Sequence, residues 1–283
     1  MVIAIMLILV AGSSYMLVKK FNANAQKAQA DVNTMAALKT AKQALISYAV
    51  TYPDNINPDE GPGYLLCPDI TNDGVAGGSC SDGDNTTIGR FPFKTLEVPE
   101  LRDGSGARLW YVVSENYKNN PKVMPALNSD TPGTLQVDNI DDIVAIVFAP
   151  GEPVGDQNNR GSATETIEDY LEGDNANLDQ QFTRSGGEDF NDRLVIITRD
   201  ELMTVVEKRV LGDVARALDR YRDADWNDSD AYPWLSPYTD PDNSTFHGIL
   251  DTYAGHIPFH RSGDTPGSNN QESIQQRHIS CME

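Results

Sequence analysis

Residues 1–52, MVIAIMLILVAGSSYMLVKKFNANAQKAQADVNTMAALKTAKQALISYAVTY, decide the fold, because no helix-breaking residue interrupts them after Gly12. Residues 1–18 carry no charge and would extend about 27 Å as a helix, close to the ~30 Å hydrocarbon core of a bilayer. Pro53 and the turn-forming residues after it predict that the helix ends at Tyr52. A helix of this length would reach about 75 Å, so the sequence predicts a membrane span followed by a projecting stalk.

The stalk carries a repeating apolar pattern. From Phe21 to Met35 the apolar residues follow a 4-3-4-3 spacing, and the pattern continues to Tyr52, which predicts a single apolar stripe on one helix face. A lone membrane anchor needs only about twenty residues, so the continuation favours assembly through the helix. The predicted assembly residues are Ile5 in the uncharged start of the helix and, in the stripe, Phe21, Ala25, Ala28, Val32, Met35, Leu38 and Leu45.

Two simpler interpretations of the apolar start remain open. A cleavable signal peptide would place basic residues before the apolar run, and none precedes it, although residues 11–14 are small enough for a cleavage site. The second interpretation is an ordinary signal anchor. Lys19 and Lys20 follow the span and favour a cytoplasmic head, whereas the composition of the head favours the outside. Removal of a basic leader from the mature chain would reconcile these two indications.

Charge separates the chain into two parts. Residues 1–52 hold five lysines and one aspartate, a net of +4, so residues 53–283 carry −24 of the total charge of −20. An acidic head repels nucleic acid and anionic lipid, and we expect neither as a partner. The head is long enough for one sizeable core or two small ones.

Three cysteines indicate an oxidising compartment. Cys67 and Cys80 enclose a loop of Asp, Gly, Asn and Ser that has no core of its own, which is typical of a segment held by a disulfide. Three single-bridge pairings are possible, and we favour Cys67 with Cys80, leaving Cys281 free or intermolecular. The four closely spaced ligands of a structural zinc site are absent from the sequence.

The sequence of the head predicts a sheet followed by a helix. Strong strand signals occur at 108–113, 142–149 and 192–198, and the unbroken apolar run of the second predicts a central strand buried on both faces. Thr198 and Glu201 form a capping box that begins a helix. We therefore predict an α+β fold: a helix domain at 1–52 and a head at 53–283 with an antiparallel sheet, long loops and a C-terminal elaboration at about 199–283.

The loop after Cys67 has the spacing of the first half of a calcium-binding loop, with Gly74 at its sixth position. Its twelfth position is Cys80 instead of Glu, so a carboxylate farther on would have to complete the site. A solvated loop closed by the disulfide is the alternative. The candidate calcium ligands are Asp69, Thr71, Asp73, Asp82 and Asp84.

The remaining motifs give weaker indications of a functional site. Residues 223–230 form a second oxygen-rich turn, and aromatic residues cluster at 226–238. His256 and His260 have metal-ligand spacing, but Pro258 separates them and no Glu follows the first. Neither a Gly-x-Ser-x-Gly elbow nor a phosphate-binding loop is present, so we predict no enzymatic activity.

The helix pattern and several later motifs resemble those of type IV pilins and of the pseudopilins of type II secretion. AKQALISYAVTYP at 41–53 and GPGYLLCPDITNDG at 61–74 are similar to a subgroup of large pilin-like proteins with a Gly-Tyr-Leu-x-Cys-Pro-Asp segment after the helix. Further segments that share this resemblance, which covers most of the chain, are VFAPGEPVGDQNNR (147–160), YLEGDNAN (170–177), NDRLVIITRDELM (191–203) and HIPFH (256–260).

The resemblance implies a structural role. Such proteins are inserted in the inner membrane, cut by a prepilin peptidase, N-methylated at the new first residue, here Met1, and assembled with other pilins by dedicated machinery into an extracellular helical filament. Family members usually carry Glu as the fifth mature residue, where this chain has Ile5. The mature start lies elsewhere, the subunit sits at a filament tip, or the filament buries its terminal amine differently. A minor pseudopilin or a signal-anchored extracytoplasmic binding protein is the alternative function.

Overall fold

The structure is a computed structural model that describes residues 2–56, 61–78, 88–118, 127–223 and 232. Side chains within the first helix are described at residue 22 and from residue 24 onward. The chain divides into two compact units, one of residues 1–45, 66–118 and 133–198, the other of residues 46–65, 119–132 and 199–283. The predicted domain boundary at residue 52 stays a prediction.

The described residues form two helices and six short strands, which confirms the predicted α+β class. The helices are α1 (Val2–Asn55) and α2 (Arg199–Arg222). The strands are β1 (Ile88–Arg90), β2 (Trp110–Val113), β3 (Leu135–Val137), β4 (Ile140–Ala149), β5 (Gln181–Phe182) and β6 (Arg193–Thr198). Three 3₁₀ turns lie at Glu115–Tyr117, Ile167–Asp169 and Gly173–Ala176.

The end of α1 lies three residues beyond the predicted one, because Pro53 is accommodated. A helical residue at this position would donate its N–H to the carbonyl of Ala49, and proline has none to donate. The amide of Gly63 supplies the missing hydrogen bond, with its N atom 2.8 Å from Ala49 O. Among the residues whose side chains are described, no helix is long and apolar enough to cross a bilayer.

The sheet is built around β4. Its antiparallel neighbours at residues 145–148 are β2 on one edge and β6 on the other, and β3 pairs with its first residues. β1 extends the sheet beyond β2. β5 pairs with β3 in parallel, so the predicted antiparallel sheet has one parallel pair at this edge. The three strands predicted from composition are confirmed as β2, β4 and β6, whereas β1, β3 and β5 are too short to produce a clear sequence signal.

Both faces of β4 are covered, as its apolar run predicts. Residues 143–149 are all buried. On one face, Ile146 and Phe148 belong to a core that also receives Tyr170, Leu171 and other side chains from the long segment between β4 and β6. On the other face Tyr111 is buried, and its hydroxyl donates to the carbonyl of Leu66, with an O···O distance of 3.1 Å. The segment 151–191 is therefore part of the core, and not only a surface loop.

α2 begins directly after Thr198, as the capping box predicts. Its buried residues are Leu202, Met203, Val206, Val210 and Val214. Val205 is exposed, and Met203 lies on the buried face. Within the same unit Arg209 forms a bidentate ion pair with Asp54, both N–O distances being 2.7 Å. Except for Tyr232, the oxygen-rich turn after Asp223, the aromatic cluster and the two histidines lie outside the described residues.

Candidate assembly surface and loop sites

One face of α1 is buried in the folded chain. Leu38 and Leu45, both predicted assembly residues, are completely buried, as are Ala41, Ala49 and Tyr52 between and after them. These positions recur every three or four residues, so they lie on one side of the helix. This face therefore belongs to the packing of the subunit itself.

Within their compact unit, polar contacts attach the same face of α1 to the sheet and to a loop beside it. Lys42 Nζ donates to the carbonyl of Ile196 in β6 at 2.8 Å, and the amide of Gly104 donates to Thr34 Oγ1 at 2.8 Å. An ion pair joins Arg193 to Asp31 at 2.7 Å, but both side chains are more than 40% exposed, so it adds little. The hydrogen bonds of Lys42 and Thr34, which lie on the buried side, set the position of the helix.

A second apolar face of α1 is exposed. Val32 is 62% exposed and Met35 is 51% exposed, and Ala25 and Ala28 are exposed on the same side. With about 100° of rotation per residue, Val32 lies about 140° around the helix from Leu45. The prediction of a single stripe is therefore corrected to two faces: a buried one from residue 34 onward and an exposed one at 25–35. The side chains of Ile5 and Phe21, and all of Met1, lie outside the described residues.

The two faces arise from the helix period. A step of four residues rotates by about 40° in one direction around the helix and a step of three by about 60° in the other, so the alternating steps from Phe21 to Met35 drift by only about 20° per seven residues. Three consecutive steps of three residues, from Val32 through Met35 and Leu38 to Ala41, break this alternation and rotate the apolar positions by about 180° to the buried side.

The loop after Cys67 is organised by a buried carboxylate. Asp69 Oδ1 accepts hydrogen bonds from the amides of Thr71 at 3.0 Å and Asp73 at 3.3 Å, and Asp69 Oδ2 accepts one from the amide of Gly74 at 2.6 Å. The backbone of Asp69 also pairs with that of Arg90. Gly74 has φ of +86°, a conformation that side chains disfavour. The loop therefore takes its shape from its own backbone amides.

Two predictions about this loop are not decided by these contacts. Cys67 is in a disulfide, while Cys80 and Cys281 both lie outside the described residues, so the pairing of Cys67 with Cys80 stays a prediction. Asp82 and Asp84 also lie outside them. Within the described part of the chain no group of three or more His, Cys, Asp or Glu residues could hold a metal ion. Calcium binding by Asp69, Thr71 and Asp73 stays a prediction as well.

The structure also brings together two acidic residues that belong to none of the sites predicted from the sequence. Glu172 and Asp192 are buried and face each other, and burial together with the charge of Glu172 raises the pKa of Asp192 to about 8. Glu172 lies in the segment YLEGDNAN (170–177) and Asp192 in NDRLVIITRDELM (191–203), and neither segment has a recognised chemistry. No sequence signal separates these two residues from the forty other acidic ones, because their burial depends on how residues 151–191 fold back.

Comparison with known proteins adds no relative: no family model matches the chain, and no curated protein or solved structure matches it. Inferences about function therefore depend on the sequence resemblance and on the geometry of α1.

Gly104 tests the attachment of α1. A Cβ atom at this position would lie 2.6 Å from the Cα of Ala30, and backbone at that distance cannot move aside cheaply. We expect Gly104→Ala to lower the free energy of unfolding by about 1–3 kcal/mol. The measurement is thermal unfolding of the full chain in mild detergent. Gly187→Ala, where a Cβ meets nothing within 4 Å, is the matched control, and equal melting of both variants would contradict the prediction.

Asp69 tests the loop. Asparagine has one acceptor oxygen and an NH₂ group, so in Asp69→Asn one of the amides now bonded to the carboxylate faces another donor. We expect a loss of about 1–3 kcal/mol in the free energy of unfolding, measured by thermal unfolding with a calcium chelator present. Asp73→Asn is the control, because Asp73 accepts only one amide hydrogen bond, from Val75, through a single oxygen. Equal melting temperatures of Asp69→Asn and Asp73→Asn would contradict the role of Asp69 in organising the loop.

Proposed function

We propose that this protein is a structural subunit of an extracellular filament of the type IV pilus kind and that it polymerises through α1. The observation that supports the proposal is the set of exposed apolar side chains at residues 25–35, among which Val32 lies about 140° and Met35 about 80° around the helix from the buried Leu45. A subunit that used α1 only to support its head would need one apolar face, and this helix has two.

The spacing of the exposed face favours another helix as its occupant. Phe21, Ala25, Ala28, Val32 and Met35 follow the alternating steps of four and three residues that are typical of helices packed side by side. The two alanines allow two helix backbones to approach closely. A second copy of this chain supplies the same face, and its repeated addition with a constant rotation and rise produces a helical filament.

The expected contribution of the exposed face is moderate for each subunit. Complete burial of a Val or Met side chain contributes about 1.5–3 kcal/mol, and Val32 and Met35 are now only half buried or less. The uncharged residues 1–18 would extend the contact in a filament core. Many neighbours repeat the same contact, so modest energies per subunit suffice.

The proposal includes a route and a set of partners. The chain enters the inner membrane through residues 1–18, is processed by a prepilin peptidase, and joins other pilins through the assembly machinery into a filament on the cell surface. The acidic head, at −24 for residues 53–283, suits a soluble outer coat and disfavours nucleic acid. Ile5 leaves its position along the filament open, and a minor pseudopilin or a signal-anchored binding protein is the alternative.

Electron microscopy of the sheared surface fraction, from cells that express this chain with its assembly machinery, tests the proposal directly. Helical filaments that consist mainly of this chain, with α1 at their centre, would support the major-subunit role. A chain that stays monomeric in the membrane fraction would overturn it and favour the anchored protein.

Val32→Asp tests the exposed face. Assembly would bury an unpaired carboxylate at a cost of several kcal/mol, so we expect the amount of filament to fall at least about tenfold. Asn33→Asp is the matched control, because it adds the same charge at the same height on another side of the helix. Its carboxylate can still accept the hydrogen bond that Gln29 donates to Asn33, at 2.9 Å.

The amount of filament is measured in the sheared fraction by immunoblot, and the fold of each variant by thermal unfolding of the detergent-solubilised full chain. A Val32→Asp subunit that is folded and assembles as well as Asn33→Asp would contradict the role of this face.

A further inference from the structure

Residues 151–191 are held on the sheet by a buried polar cluster that assembly through α1 does not use. Its members come from three separate segments: Gln157 from the start of the excursion, Glu172 and Asn175 from its middle, and Asp192 directly before β6. All four are buried. The cluster therefore joins the excursion to the strand that follows it.

The hydrogen bonds between the two acidic residues are reciprocal. Glu172 Oε2 accepts from the amides of Asn191 and Asp192, both at 3.0 Å, and Glu172 Oε1 accepts from Gln157 Nε2 at 2.8 Å. Asp192 Oδ2 accepts from the amide of Glu172 at 3.0 Å and from Asn175 Nδ2 at 2.9 Å. Three of the four carboxyl oxygens therefore have donors.

The fourth oxygen, Asp192 Oδ1, is buried and has no hydrogen-bond partner. A carboxylate oxygen removed from water without a donor is strongly destabilised. The side chain of Asp192 also lies within hydrogen-bond reach of the side chain of Glu172, so a single proton between the two carboxyl groups would satisfy this oxygen. The raised pKa of Asp192, caused first by burial and then by the charge of Glu172, has the direction that such a proton requires.

The nearby cation does not provide this donor. Arg160 donates from Nε to the carbonyl of Asp169 at 2.6 Å and from Nη1 to that of Gly151 at 2.7 Å, and Nη2 contacts Gln157. Its charge acts on Glu172 and Asp192 only through space, and it is shared with Asp103 and Tyr170. The surrounding charges therefore leave the two carboxyl groups with an excess of negative charge unless one is protonated.

We propose that Asp192 is protonated at neutral pH and donates the proton on Oδ1 to a carboxylate oxygen of Glu172, forming a pH-sensitive latch that holds residues 151–191 on the sheet. Loss of the proton in alkaline solution leaves two adjacent buried negative charges, which repel each other and open the latch.

The sign of the pH dependence follows from proton binding. The pKa of Asp192 is about 8 in the folded chain and 3.8 for an ordinary aspartate, so between these values the folded state binds the additional proton. The contribution of this group to stability therefore falls as the pH rises from about 4 to about 8, and is constant above that range. Opening of the latch accompanies the same deprotonation.

Infrared spectroscopy of the full chain in mild detergent tests the proton directly. We expect the carbonyl band of a protonated carboxylic acid at pH 7, which disappears as the pH passes about 8 and is absent in Asp192→Asn. Asp174→Asn, an exposed aspartate of the same excursion, should keep the band. A wild-type protein without this band at pH 7 would overturn the proposal, whether or not the variants fold.

Thermal unfolding between pH 5 and pH 9 supplies a second readout. We expect the melting temperature of the wild type to fall more steeply with pH than that of Asp192→Asn, whose NH₂ group can donate to Glu172 at every pH; Asp174→Asn should follow the wild type. Equal slopes in all three proteins would contradict the latch. A rise in melting temperature with added calcium that Asp192→Asn abolishes would assign Oδ1 to a cation and overturn the shared proton.

Discussion

The enclosure of β4 is the constraint on which the described part of the sheet unit depends. It has a hydrogen-bonded neighbour on each edge and a covered surface on each face, so its position leaves little freedom to the elements around it. β6 on one edge presents the carbonyl of Ile196 to Lys42, and the loop that precedes β2 brings Gly104 against the backbone of Ala30. The strand therefore determines, through its neighbours, which side of α1 is used for folding.

Because folding uses one side of α1, the other side remains available. The buried face of α1 packs in the core of the subunit, while Val32 and Met35 stay exposed to solvent. Isolated exposed apolar residues are ordinary, but four on one helix face at coiled-coil spacing form a surface that another helix fits. Our proposal of filament assembly depends on this division of the helix, together with the uncharged residues at its start.

The buried carboxylates of this acidic protein organise backbone. Asp69 accepts hydrogen bonds from the amides of its own loop, and Asp103 does the same for the turn at 103–107 while also accepting from the amide of Gly151. Glu172 and Asp192 extend this use of carboxylates across the long excursion. A carboxylate with several amide donors replaces apolar contacts in loops too polar to form a core.

The sequence by itself determined the elements whose signal is local. The long first helix, whose predicted end at Tyr52 lies three residues before the observed one, the central strand with its unbroken apolar run and the helix that starts after Thr198 are each specified by periodicity, composition or capping within a few residues. Only the tertiary structure decided which side of α1 faces the head, that residues 151–191 cover the sheet, and that Glu172 meets Asp192. Each of these depends on contacts between residues distant along the chain. Three consecutive steps of three residues between Val32 and Ala41 rotate the apolar positions by about 180°, which divides the one predicted stripe into two faces.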